Sequence, residues 1–111
     1  MIIGLHHVAI GVPDLDAAVA FYTEAFGCTV VFTSRFDQRA DVDSVIGLTG
    51  VAADVAMLQL GDAHLELWQY RTPEPVDHRS PPNGLGYPHI AVNVQDIEAE
   101  HARLGRLGMT F

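Results

Sequence analysis

Three side chains with metal-binding chemistry lie within apolar segments of the sequence. His7 and His89 each open such a segment, and Glu66 stands between two leucines. A carboxylate inside an apolar strand needs a cation or a hydrogen-bonded partner if it is buried. Two imidazoles and one carboxylate are a common ligand set for divalent transition metals. We therefore predict that His7, Glu66 and His89 bind one divalent metal ion.

The two histidines occupy equivalent places in an internal repeat. The segment HVAIGVPDLDA, which begins at His7, matches HIAVNVQDIEA, which begins at His89, in its histidine, its apolar pattern and its aspartate. In each copy an apolar, β-branched run is typical of a strand, and Asp14 or Asp16 in the first copy and Asp96 in the second can cap the helix that follows. Two such units related by a pseudo-twofold axis would bring the imidazoles together.

The whole chain is predicted to follow the order β-α-β-β-β, linker, β-α. Strands are predicted over residues 5–12, 29–36, 53–60, 64–70 and 87–94. One helix ends at Gly27 and another, which starts at Asp96, ends before Gly108, and a short helix is expected around residues 42–48. The apolar face of the first helix comprises Ala18, Phe21, Tyr22, Ala25 and Phe26.

These elements predict one α+β domain over residues 1–111. A first β-α-β-β-β module covers residues 1–70, a proline-rich linker covers 71–86, and residues 87–111 begin a second, incomplete module.

Strand periodicity separates a core face from a face that can bind ligands. His64, Glu66, Trp68 and Tyr70 alternate along one face of their strand, and the leucines between them point the other way. His7 and His89 point to the face of their strands that is opposite to the larger apolar residues. Asn93 shares the face of His89. We predict that substrate contacts His64, Trp68, Tyr70 and Asn93. His6, His78 and His101 are interpreted as surface or loop residues.

Composition excludes several other functions. The net charge of −8 would repel nucleic acids and anionic membranes, so neither is expected as a partner. All basic residues are arginines, which excludes lysine Schiff-base chemistry. The single cysteine, Cys28, excludes an intrachain disulfide and is expected to pack beside the first helix. With no targeting segment and no apolar run of membrane length, a cytoplasmic location is expected.

Three segments together resemble the vicinal oxygen chelate superfamily, which includes glyoxalase, bleomycin-resistance proteins, extradiol dioxygenases and methylmalonyl-CoA epimerase. The segments are HHVAIGVPDLDAAVAFYTEAFG from His6, LGDAHLEL from Leu60 and GYPHIAV from Gly86. The resemblance is strongest to the epimerase and glyoxalase branches. It implies paired β-α-β-β-β modules that form a mixed, cupped sheet around a divalent metal (Zn, Ni, Co, Mn or Fe), with the helices outside.

The resemblance also implies a fourth metal ligand near position ~148, whereas this chain ends at Phe111. Water, a neighbouring chain or a longer C-terminal segment would fill that position. An incomplete second module exposes strand edges, so a homodimer is expected.

The resemblance implies a metal-dependent lyase or isomerase that forms an enolate of a small carbonyl or acyl-thioester substrate. In the epimerase branch carboxylates move the proton, which makes Glu66 and Asp54 the candidate catalytic residues. A three-residue hairpin turn would place Asp54 beside Glu66, whereas a two-residue turn would place Met57 and Gln59 there. Two alternatives remain: a metal-free drug-binding resistance protein, and an Fe(II) enzyme that cleaves catechol rings.

Overall fold

The computed structural model describes residues 1–87 and 89–111, so Pro88 lies outside the described residues. The chain divides into two compact units, Met1–Pro75 and Val76–Phe111, and this boundary falls within the predicted linker. In chain order the elements are β1 (Val8–Gly11), α1 (Leu15–Phe26), β2 (Thr29–Asp37), α2 (Ala40–Ile46), β3 (Ala52–Leu60), β4 (Ala63–Thr72) and α3 (Ile97–Arg106).

The first unit is built on a four-stranded mixed sheet in the order β1-β4-β3-β2. β1 runs parallel to β4, whereas the β2–β3 and β3–β4 pairs are antiparallel. The α+β class and the mixed sheet are therefore confirmed. The four strands form an uncurled sheet, whereas the resemblance implied a cupped one.

Helix α1 begins and ends where the sequence predicts. Oδ1 of Asp14 accepts a hydrogen bond of 2.9 Å from the backbone N–H of Ala17, which satisfies one of the free donors of the first turn. Gly27 adopts the left-handed conformation (φ 69°) that ends the helix at little cost for a residue without a side chain.

The core of the first unit lies between α1 and one face of the sheet. Leu58 and Leu67 are fully buried there, and the aromatic rings of Tyr22 and Phe26 pack against them from the helix side. Cys28 is buried in the same cluster, as predicted, and burial raises the pKa of its thiol. Phe21 was expected in this core but is 41% exposed, because it lies at the edge of the helix face against the other two rings.

The described residues of the strand predicted over 87–94 form no strand, so this prediction was wrong. Pro88 lies outside the described residues, and residues 89–94 have no strand assignment. In the first module β1 is held by pairing with β4, the last strand of that module. Among the described residues of the second unit, α3 is the one regular element, so none of them offers residues 89–94 a strand to pair with. In a strand without a partner, the backbone N–H and C=O groups can form hydrogen bonds only with water.

Helix α3 forms with the predicted cap but without a buried face. Oδ1 of Asp96 accepts a hydrogen bond of 3.0 Å from the backbone N–H of Ala99. None of the residues of α3 is buried, and Ile97 is 70% exposed. Within the described parts of the chain, no helix has the length and apolar character required to cross a membrane.

Candidate active site

Parallel pairing between β1 and β4 brings His7 next to Glu66. The register aligns Val8 with Leu65 and Ala9 with Glu66, so His7, which immediately precedes β1, lies on the same face as Glu66. Nε2 of His7 is 3.3 Å from Oε2 of Glu66, and the two side chains are 35% and 16% exposed. This face lies opposite α1, and we call it the open face of the sheet.

Glu66 has a second partner on its own strand. The indole Nε1–H of Trp68 donates a hydrogen bond of 2.7 Å to Oε2 of Glu66. Residues two positions apart on a strand share a face, which allows this contact. The carboxylate is largely buried and hydrogen-bonded, as a buried charge requires. Tyr70, the next residue on the face, has its pKa raised first by burial and then by the negative charge of Glu66.

His6 and His64 form a group of three imidazoles with His7. Nδ1 of His6 is 2.7 Å from Nδ1 of His7, and the rings of His6 and His64 are stacked with centroids 5.6 Å apart and 6° between their planes. His6 is exposed, as the interpretation of a surface residue expected, and it makes these two contacts in addition. The adjacent histidine doublet is the only signal in the sequence, and it does not predict the stacking partner.

The β3–β4 hairpin places Asp54 on the opposite face from Glu66. Leu60 pairs with Ala63, so the turn has two residues, Gly61 and Asp62. Met57 is therefore aligned with Glu66, and Gln59 with His64, as expected for the shorter turn.

On the face of α1, Asp54 is aligned with Gln69 and forms an ion pair with Arg71. Nη2 of Arg71 also binds Asp37 at 2.7 Å. The structure does not bring Asp54 together with Glu66, because one residue of turn length reverses the face of the whole strand.

A row of three stacked aromatic rings extends across the open face. The ring of Trp68 is stacked between Tyr70 (centroids 5.4 Å apart, planes at 19°) and Phe36 of β2 (5.7 Å, 23°). We call these three residues the aromatic row. Trp68 and Tyr70 were predicted to contact substrate, whereas Phe36 was not identified, because its place depends on the register of β2 against β3.

His7 and Glu66 fit two ligand positions of one divalent cation. Ligand atoms at about 2.0–2.2 Å from a metal ion lie roughly 3.0–3.5 Å from each other when they share an edge of its coordination sphere. The separation of 3.3 Å falls in this interval. Across the described residues, no group of three or more His, Cys, Asp or Glu side chains is assembled for a metal. His89 and Asn93 belong to the second compact unit, and their part in the site stays a prediction.

The sequence is similar to proteins of a known superfamily. Residues 4–111 match the model of the glyoxalase/bleomycin resistance protein/dioxygenase superfamily. The chain is 35% identical to a 2-epi-5-epi-valiolone epimerase from Actinomyces sp., with 87% of this chain and 55% of that protein covered. It is 31% identical to the mitochondrial methylmalonyl-CoA epimerase of Homo sapiens, with 86% and 48% covered. The chain thus spans about half the length of the curated relatives it matches.

Solved structures show the same fold. A glyoxalase family protein from Bacillus cereus is similar with a TM-score of 0.85 and 29% identity, over 97% of this chain and 74% of that one. The fosfomycin resistance protein FosX from Listeria monocytogenes, solved with Mn(II), has a TM-score of 0.66 at 19% identity, over 99% and 73%. Because the family model covers nearly the whole sequence, the chain belongs to the glyoxalase/bleomycin resistance protein/dioxygenase superfamily.

Proposed function

We propose that this chain carries part of the active site of a divalent-metal-dependent isomerase that moves a proton next to a carbonyl group. The observation that supports the proposal is the contact between His7 and Glu66 on the open face, at a separation suited to one cation. The names of the curated relatives, which are epimerases, favour an isomerase over a lyase. A small ketone or an acyl thioester is the substrate class that we propose.

His7 and Glu66 of the first unit would bind the cation. The internal repeat indicates His89 as a further candidate ligand. When bound, a divalent cation supplies Lewis-acid stabilisation of the enolate oxygen. The protein itself orients the carboxylate of Glu66 and shields the substrate from water. The N–H of Trp68 fixes one oxygen of Glu66, and the aromatic row offers an apolar surface that keeps water from one side of the substrate.

Proton transfer requires a base on the open face. Asp54 lies on the other face and is paired with Arg71, so we do not assign the transfer to it. His64 lies on the same face as Glu66 and is half-buried. Imidazole is the most frequent general base in enzymes. We propose His64 as the residue that removes or returns the proton.

The test is exchange of the α-proton with solvent deuterium, followed by NMR. The probes are methylmalonyl-CoA and 2-epi-5-epi-valiolone, each with Mn²⁺, Co²⁺ or Zn²⁺ added to the full chain. We expect metal-dependent exchange of one probe, with a rate lowered about 10²- to 10⁴-fold in His64→Gln and lost in Glu66→Gln. Exposed His78 in the second unit provides the matched control, His78→Gln. Exchange that persists unchanged in Glu66→Gln would refute the proposal.

The aromatic row favours a second candidate function, which is binding of a small ligand without turnover. Planar ligands stack on aromatic rings, and such contacts contribute about 0.5–1.5 kcal/mol beyond burial. This function predicts that aromatic compounds quench Trp68 fluorescence without added metal and that no proton exchange occurs. Phe36→Ala would then weaken binding while Phe21→Ala, on the opposite side of the sheet, would not.

A further inference from the structure

Both ring nitrogens of His7 have a partner in this structure. Nε2 faces Oε2 of Glu66 at 3.3 Å, and Nδ1 faces Nδ1 of His6 at 2.7 Å. The ring of His6 is in turn stacked on His64 of β4. The orientation of the His7 imidazole is therefore defined from two sides, by Glu66 and by His6.

The contact between the two Nδ1 atoms requires one N–H and one lone pair. A neutral imidazole carries a single ring N–H, so the two nitrogens of His7 have complementary roles. If Nδ1–H of His7 donates to His6, the lone pair of Nε2 is directed at the position beside Glu66. If Nε2–H donates to Glu66 instead, Nδ1 accepts from His6. His6 is suited to both arrangements because an imidazole nitrogen can donate or accept.

We propose that His6 is a positioning residue, whose Nδ1 holds the ring of His7 so that Nε2 is available to a cation beside Glu66. A histidine that binds a metal commonly donates its other ring N–H to a partner that sets the tautomer and orientation. The function assigned to His6 rests on the proposed function, since it acts through His7. Stacking on His64 helps to keep the His6 ring in place.

Two substitutions distinguish the contribution of the aromatic ring of His6 from that of its hydrogen-bonding Nδ1 atom. His6→Phe keeps an aromatic ring for stacking on His64 but removes the hydrogen-bonding atom. His6→Asn gives up the ring but retains a short side chain that both donates and accepts. His78→Phe provides the matched control, because His78 is exposed in the second unit. His6 is itself exposed, so neither change removes a buried group, and circular dichroism melts verify that each variant folds.

The first measurement is Zn²⁺ affinity of the full chain, followed through the fluorescence of Trp68. We expect His6→Phe to weaken binding about 10- to 100-fold, the usual cost of losing a partner of a metal-binding histidine. His6→Asn and His78→Phe should stay close to the unsubstituted protein. Unchanged affinity in His6→Phe, or equal losses in the Phe and Asn variants, would overturn the inference.

The second measurement uses metal-free protein and does not depend on the proposed function. Nitrogen-15 NMR of the histidine rings should show one dominant tautomer for His7 and a through-hydrogen-bond coupling between the Nδ1 atoms of His6 and His7. His6→Phe should lose the coupling and give a mixture of His7 tautomers, whereas His6→Asn should keep one tautomer. If the protein binds no Zn²⁺ but these spectra appear, the proposed function fails and the positioning contact stands. If the coupling is absent, the positioning contact itself is refuted.

Discussion

Trp68 donates its indole N–H to Glu66 over 2.7 Å, two residues away on the same strand. The acceptor is the same Oε2 atom that lies 3.3 Å from Nε2 of His7. Trp68 is the only tryptophan of the chain, so its fluorescence reports on the candidate site without an added label.

Addition of Zn²⁺ should therefore change the fluorescence of Trp68, because a cation on Glu66 alters the charge beside the indole. The apparent affinity should fall at least about 10-fold in His7→Ala, which removes a metal-binding nitrogen, and in Glu66→Gln, which removes the negative charge of the other ligand. Glu74→Gln is the control, as Glu74 is an exposed carboxylate of the same unit. Equal affinities for Glu66→Gln and Glu74→Gln would show that the ion binds elsewhere.

Leu67→Ala should be among the most destabilising changes in the first unit. Leu67 is fully buried between β4 and α1, and loss of such a side chain costs about 2–5 kcal/mol through lost burial and the cavity left behind. Urea unfolding followed by circular dichroism measures the difference. Leu5→Ala, at a side chain that is 82% exposed, should change the free energy of unfolding by less than about 0.5 kcal/mol. Similar costs for both variants would contradict the assigned core.

Asp14→Ala should destabilise the protein by about 1 kcal/mol, the usual cost of losing an N-cap. The side chain accepts the N–H of Ala17, and alanine leaves that donor without a partner. Asp14→Asn keeps an acceptor oxygen and should be nearly neutral in the same urea unfolding experiment. A large loss in the Asn variant would indicate that the charge, and not the cap, stabilises α1.

Arg71→Gln should lower stability in a pH-dependent way. Hydrogen bonds from Arg71 and then Arg35 hold the pKa of Asp37 below its ordinary value. A carboxylate with a lowered folded-state pKa stabilises the protein above its unfolded pKa, about 3.9, and the contribution is lost as the pH falls through the folded pKa. The difference in Tm between the two proteins should thus be present at pH 6 and shrink below about pH 4. Arg106→Gln, at an exposed arginine of α3, should show no such trend.

Hydrogen exchange should differ sharply between β3 and residues 89–94. β3 is paired on both sides, with β2 and β4, and most of its side chains are buried. Its amide protons should be among the slowest to exchange. Residues 89–94, which have no strand assignment, should exchange close to the rate of an unstructured peptide. Slow exchange of these amides in a dilute sample would mean that they pair with a partner strand, such as one from a second copy of the chain.

Local patterns in the sequence were sufficient for most of the secondary structure. Asp14 and Gly27 define the ends of α1, and Asp96 the start of α3, because a cap depends on residues within one turn of the helix. Alternation along β4 likewise predicted that His64, Glu66, Trp68 and Tyr70 share a face, which the register of the sheet confirms. The prediction of a strand over residues 87–94 was wrong because a strand also requires a partner strand, and the residues of the segment itself do not show whether one is present.

By itself, therefore, the sequence determined the helix caps, the strand faces and the family, since each depends on residues close together in the chain or on an internal repeat. Only the tertiary structure decided that His7 lies 3.3 Å from Glu66, that His6 stacks on His64, and that Asp54 faces away from both. These relations depend on the register between β1 and β4 and on the length of the β3–β4 turn. A shift of one residue in either would reverse which side chains meet, because successive side chains on a strand point to opposite faces.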